Sequence, residues 1–175
     1  MLRQEQWWAR FFSVLSEQDF VTKVAKAVIA GIGRGASPDN FASRFANLFK
    51  TFTIAFEVRP EGIVVSAALT PGTSPASGLD DVMESLFAYV EKNNRKACCV
   101  FDEFQEIAML PESKRIEGTL RSHIQMHTSI SFVYVGSRRQ LLMDMFGRNR
   151  PFYGSASFLT LKVIPKDDFV PYIVQ

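Results

Sequence analysis

Cysteine is nearly missing from this chain: two occur among 175 residues, and they are neighbours, Cys98 and Cys99. Adjacent residues on a strand point to opposite faces, so a disulfide scaffold is excluded and a reducing compartment, the cytoplasm, is expected. Histidine is just as scarce. His123 and His127 have the i, i+4 spacing of paired metal ligands, but no Glu follows His123 and no third ligand is apparent, so a zinc site is not expected. An excess of one charge is also lacking. Twenty Lys+Arg against 18 Asp+Glu leave +2, without the basic surplus of a polyanion binder. Arg138, Arg139, Arg148 and Arg150 lie close together, and with balanced charge they read as a solvated or phosphate-facing rim rather than a nucleic-acid surface. No apolar run approaches the roughly 18 residues that cross a bilayer. The start, MLRQEQWWAR, lacks the apolar core of a signal peptide.

What is present is ordinary for a globular α/β domain: 47% hydrophobic residues, 22% charged and sixteen phenylalanines. The length suits one domain covering residues 1–175. Trp7, Trp8, Phe11 and Phe12 form an aromatic cluster near the start that reads as core in an intact domain or as an exposed apolar patch in this chain. Ser16 and Asp19 make a capping pattern for a helix to Ile32, with Phe20, Val21, Val24, Val28, Ile29 and Ile32 on one face. Gly31–Gly35 ends it. Ser37-Pro38 opens a second helix, whose buried side is Phe41, Phe45, Leu48 and Phe49. Thr51–Glu57 and Ile63–Ala68 predict a β-hairpin turning at Pro60–Gly62. Thr70–Gly78 reads as a loop of turn residues, followed by an amphipathic helix from Leu79 to Asn93.

Ala97–Phe101 is short and wholly apolar, the pattern of a strand buried on both faces of a parallel sheet. A helix from Ile116 to His127, a strand Ser129–Val135, a short helix Gln140–Phe146 and a strand Phe158–Val163 follow, and PKDDFVPYIVQ begins a last helix. The alternation predicts a three-layer α/β sheet.

Two strand ends carry the chemistry. Ligands of open α/β sheets sit beyond the carboxyl ends of the strands. Asp102 there could hold Mg²⁺, a hard cation that takes one or two carboxylates beside phosphate oxygens, and Glu103 could accept a proton from an attacking water. The plainer alternative is that both acids cap the following helix. SFVYVGSRR puts Ser137 and Arg138 at the end of the other strand, where the hydroxyl could orient a water and the guanidinium could meet a terminal phosphate; the plainer alternative is a surface arginine pair beginning a helix.

The order DEFQEI (102–107), GTLRSHIQMH (118–127), SFVYVGSRRQLLMDMF (131–146) and RPFYGSA (150–156) resembles archaeal-type ATPases of the STAND branch of the AAA+ P-loop NTPases. The resemblance is specific in spacing over residues 97–156 and looser from Ser16 onward. It implies a P-loop NTPase-like parallel sheet with an inserted hairpin, ATP and Mg²⁺ as ligands, and a Walker B pair in which Asp102 coordinates the metal and Glu103 activates water. It also implies a sensor-1 role for Ser137–Arg138.

One part of such an enzyme is not in the sequence. No G-x-x-x-x-G-K-[ST] phosphate loop occurs, and GIGRG at 31–35 follows a helix and lacks the Lys-Ser/Thr pair. The chain therefore reads as an internal piece of a larger ATPase, inactive alone, with the phosphate-loop strand and the helical lid outside it. The resemblance implies strand order 5-1-4-3-2, with Trp7–Leu15 as the remnant of the second strand. Without the phosphate-loop strand, Ile130–Val135 and Phe158–Val163 each lack a neighbour, and self-association or a protein partner is expected. The alternative reading is a non-catalytic interaction module that keeps the sheet but no longer uses nucleotide. The absence of an NKxD stretch sets aside a permuted GTPase.

Overall fold

The computed structural model describes residues 4–10, 16–33, 45, 48–60 and 62–173. Strand β1 (Gln4–Arg10) leads to helix α1 (Glu17–Gly33), hairpin strands β2 (Phe52–Arg59) and β3 (Gly62–Leu69), and helix α2 (Pro75–Lys92). Strand β4 (Lys96–Asp102), a 3-10 turn (Phe104–Met109), helix α3 (Ser113–Met126), strand β5 (Ile130–Tyr134) and helices α4 (Arg139–Met145) and α5 (Lys166–Ile173) complete the order. β1, β4 and β5 form one parallel sheet with β4 in the middle, and β2 and β3 form a separate antiparallel pair. The α/β class expected from the alternation of elements is what the chain adopts.

Local chemistry accounts for the boundaries. The Ser16 hydroxyl accepts the Asp19 N–H at 3.1 Å, the expected cap of α1. That helix buries Phe20, Val21, Val24, Val28, Ile29 and Ile32. Helix α2 begins earlier than its apolar periodicity predicts. Ser74 is its cap, accepting the Ser77 N–H at 3.1 Å, and Pro75 holds the first position. The Ser-Pro pair in the supposed loop is thus a helix start. Gly78 lies inside the helix because a Cβ there would stand 2.3 Å from Leu69 Cδ2 of β3. The hairpin is seated by its base: Phe52, Ala67 and Leu69 are buried. The Asp81 carboxylate on α2 accepts both the N–H (2.8 Å) and hydroxyl (2.7 Å) of Thr51.

Residues 11–15 and the predicted helix start at Ser37, with Phe41, lie outside the described residues. Of its expected inner side, Phe45 and Phe49 are buried and Leu48 is half-buried, with Leu48 and Phe49 outside any helix. The first described strand is Gln4–Arg10, and residues 11–15 of the expected Trp7–Leu15 lie outside the described residues.

β4 is buried on both faces, Val100 to one side and Cys99 and Phe101 to the other. β5 is covered on one face only: Phe132 and Tyr134 pack inward, while Ser131, Val133 and Val135 are exposed. Tyr134 sits among Phe101, Phe104, Phe146 and Phe152, with ring centroids 4.4–5.7 Å away. Burial pushes the Tyr134 phenol well above its ordinary range and the Cys99 thiol up to about 12, which leaves Cys99 a packing residue rather than a redox group.

One predicted element does not form. Phe158–Val163 is not a strand, and Leu159, Leu161 and Val163 are 87%, 86% and 93% exposed. A strand exists by pairing, and among the described residues no strand adjoins this segment.

The two histidines are interface residues. His123, buried on α3, meets Asp80 of α2 at 2.5 Å, and His127 meets Glu91 at 3.1 Å. Between these contacts Phe87 stacks on the His127 ring at 3.8 Å. Among the described residues no three His, Cys, Asp or Glu side chains converge as metal ligands. Helix α3 also carries Glu117, fully buried, whose carboxylate accepts from the Arg150 guanidinium. Burial raises the Glu117 pKa despite the opposing charge of Arg150. A broken buried pair costs about 3–5 kcal/mol, whereas a full apolar replacement is often neutral. Arg150→Met alone is therefore expected to destabilise the fold by about 3 kcal/mol. Adding Glu117→Leu should recover most of that loss, as read by urea unfolding of the single and double variants.

Candidate functional site

The carboxyl ends of β4 and β5 lie side by side because the parallel register carries past the strands. Val135 N–H donates to Phe101 O at 2.8 Å, and Phe104 N–H donates to Val135 O at 2.9 Å. Between Phe101 and Phe104 the chain must turn sharply. Glu103 takes a left-handed backbone, φ 52°, ψ 39°, a conformation that costs a non-glycine residue roughly 1 kcal/mol or more and persists where surrounding contacts fix it.

Those contacts are explicit. Glu103 Oε2 accepts the Ser137 hydroxyl at 2.9 Å, the Ser137 N–H at 3.4 Å and the Gln105 side-chain amide at 2.5 Å. Among the described residues none donates to Oε1. Arg138 Nη1 lies 3.8 Å from Glu106 Oε1 on the 3-10 turn. Asp102 Oδ1 accepts the N–H of Glu103 at 3.1 Å. The structure thus brings Glu103 and Ser137 into direct contact, with Asp102 adjoining and Arg138 on the same rim. Glu103 does not cap the turn that follows it: no side-chain cap bond forms there.

Electrostatically the site favours an anion at Glu103. Hydrogen bonds from Gln105 and Ser137, with the nearby Arg138 guanidinium, hold the Glu103 carboxyl below the usual carboxylate range. At neutral pH it is ionised, with one oxygen occupied and the other able to accept from a water. A carboxylate with a lowered pKa polarises and orients a water better than it carries off a proton. The oxygen donors of Asp102, Glu103 and Ser137 suit a hard divalent cation. Among the described residues no three His, Cys, Asp or Glu side chains converge there, so magnesium there would draw its remaining ligands from phosphate oxygens and water.

Three contributors escaped the sequence reading. Gln105 is buried to 1% exposure and donates to Glu103. A glutamine between Phe104 and Ile107, two residues beyond the acid, was the available signal. Glu106 partners Arg138. Gly136 lets Gln105 in, since a Cβ there would stand 2.1 Å from Gln105 Oε1 and 3.3 Å from Leu142 Cδ2. Comparison with protein-family models, curated proteins and solved structures finds no match for this chain.

Two outcomes follow from the geometry. Because the folded-state pKa of Glu103 is depressed, its contribution to stability is present above the unfolded-state value, about 4.3, and is lost as pH falls through the folded value. Glu103→Gln should therefore destabilise the protein at pH 7 and have no such effect in acid, below both values, measured by denaturant titration across pH. Gly136→Ala should expel the Gln105 amide from Glu103, lowering stability by about 1–3 kcal/mol and raising the Glu103 pKa observed by carboxyl-carbon NMR.

Proposed function

We propose that this chain forms the metal- and water-handling half of an ATP-hydrolysing site of the STAND type. Asp102 would hold Mg²⁺, Glu103 would orient the attacking water, and Ser137 with Arg138 would read the terminal phosphate. The observation that carries the reading is the bond between Glu103 and Ser137 across the ends of two adjacent parallel strands, made by a glutamate held in a left-handed backbone. Strain of this kind collects where a side chain must be presented in one orientation. The parallel order β1-β4-β5 supports it further, because it is the order of the second, third and fourth strands in the arrangement that the resemblance implies. Magnesium would supply charge neutralisation of the phosphates. The protein's part is to fix the water beside Glu103 and to keep that carboxylate ionised.

A phosphate loop is the missing component, since no G-x-x-x-x-G-K-[ST] occurs in the sequence. The reading therefore requires weak ATP binding by the chain alone. A second reading, an interaction module without nucleotide chemistry, is favoured by one observation: the exposed apolar run from Phe158 to Ile164.

Calorimetric titration of the chain with Mg-ATP should give no micromolar binding, and micromolar affinity would overturn the division of labour proposed here. When a strand ending in a G-x-x-x-x-G-K-[ST] loop is fused ahead of residue 1, ATP binding and turnover should appear. In that fusion Glu103→Gln should bind ATP normally and lose at least about 100-fold in turnover. Unchanged turnover would remove the role given to Glu103.

A further inference from the structure

Among the described residues β5 has one neighbour. It pairs with β4, and among the described residues no strand lies along its other side. The ladder to β4 uses alternate residues of the β5 side, with Ser129 O accepting from Ala97 N–H and Val135 N–H donating to Phe101 O. This alternation turns the backbone N–H and C=O groups of Phe132 and Tyr134 toward the open side. Exposed edges are normally guarded by charge, proline or a bulge, and ISFVY contains neither a charged residue nor a proline.

The same chain carries a segment suited to that edge. Residues 156–165 have no regular structure. Phe158, Leu159, Leu161, Val163 and Ile164 are 57–93% exposed. Leu159, Leu161 and Val163 alternate with Thr160 and Lys162, the two-residue period of a half-buried strand. The root of the segment is fixed by Phe158, whose ring meets Phe146 edge-on at 5.5 Å. Pro165 and α5 follow. An apolar strand without a sheet and a sheet edge without a strand thus occur in one molecule.

We infer that two copies of this chain exchange these segments, residues 158–164 of each adding a strand to the β5 edge of the other. The contact is isologous and closes at two copies. Neutral β5 and a segment with Lys162 as its sole charge meet without like-charge repulsion. To be stable, the two exchanges together must cover about 1,200–2,000 Å², the range in which specific stable interfaces fall. The inference uses only backbone groups and apolar side chains and concerns the chain by itself: in the strand order of the nucleotide reading, the phosphate-loop strand would take this same β5 edge, so the exchange is expected where that strand is not joined to the chain.

The test uses the full chain without nucleotide or magnesium. Sedimentation velocity from about 1 to 100 µM should show a concentration-dependent dimer. Hydrogen exchange should show slow amides at Phe132, Tyr134 and alternate residues of 158–164. Thr160→Pro removes a donor from the added strand and Leu161→Lys charges it. Both residues are exposed, so the monomer fold, checked by circular dichroism, is expected to persist while the dimer dissociation constant rises at least about 100-fold, as the loss of a strand's worth of backbone bonds implies. A monomer across the whole range, protected or not at 158–164, overturns the inference. So does a dimer that survives both substitutions, and so does open-ended assembly into larger species.

Discussion

The parallel ladder between β4 and β5 is the constraint on which the rest of the site depends. Extending it by the bonds from Val135 to Phe101 and from Phe104 to Val135 fixes where both strands end. It also leaves one residue, Glu103, to reverse the chain in a conformation glutamate disfavours. Its side chain then has a single direction to go, onto Ser137. Geometry at the rim is inherited from backbone pairing in the core, and the hydrogen bonds from Gln105 and Ser137 secure it.

Packing beneath that rim is aromatic. Phe101, Phe104, Tyr134, Phe146 and Phe152 interlock in tilted and edge-on pairs, with Phe101 and Tyr134 stacked. A side chain added at Gly136 meets Gln105 directly rather than an empty space. Further out, the buried Glu117–Arg150 pair fastens the 147–156 turns to α3, so the segment leaving the aromatic cluster does so from a fixed point.

Much of this was legible in the residues. ACCVF reads as a doubly buried strand because it has no polar position, and Val100 and Phe101 are buried on opposite faces. The cap of α1 and the hairpin followed from local chemistry, which needs no tertiary information. Misses arose where local and distant forces disagree. Pro75 and Gly78 look like loop residues until Ser74 is recognised as a cap and Leu69 is found against the glycine. FLTLKV has strand periodicity, but periodicity describes a face and cannot supply a neighbour. Gln105 was invisible because its role depends on a glycine 31 positions later. The convergence of Glu103 with Ser137 was anticipated from the rule that strand ends face one crevice, whereas the left-handed turn that achieves it has no sequence signature in a glutamate.

The hairpin has a different relation to the core. Its base is buried at Phe52, Ala67 and Leu69, whereas Phe56 and Val64, nearer the turn, are 40% and 41% exposed. The outer rungs are therefore more exposed to solvent than the inner ones. Changes of length and composition there disturb the buried base least, which makes this ribbon the natural place for the molecule to acquire a new binding specificity while its interior stays unchanged.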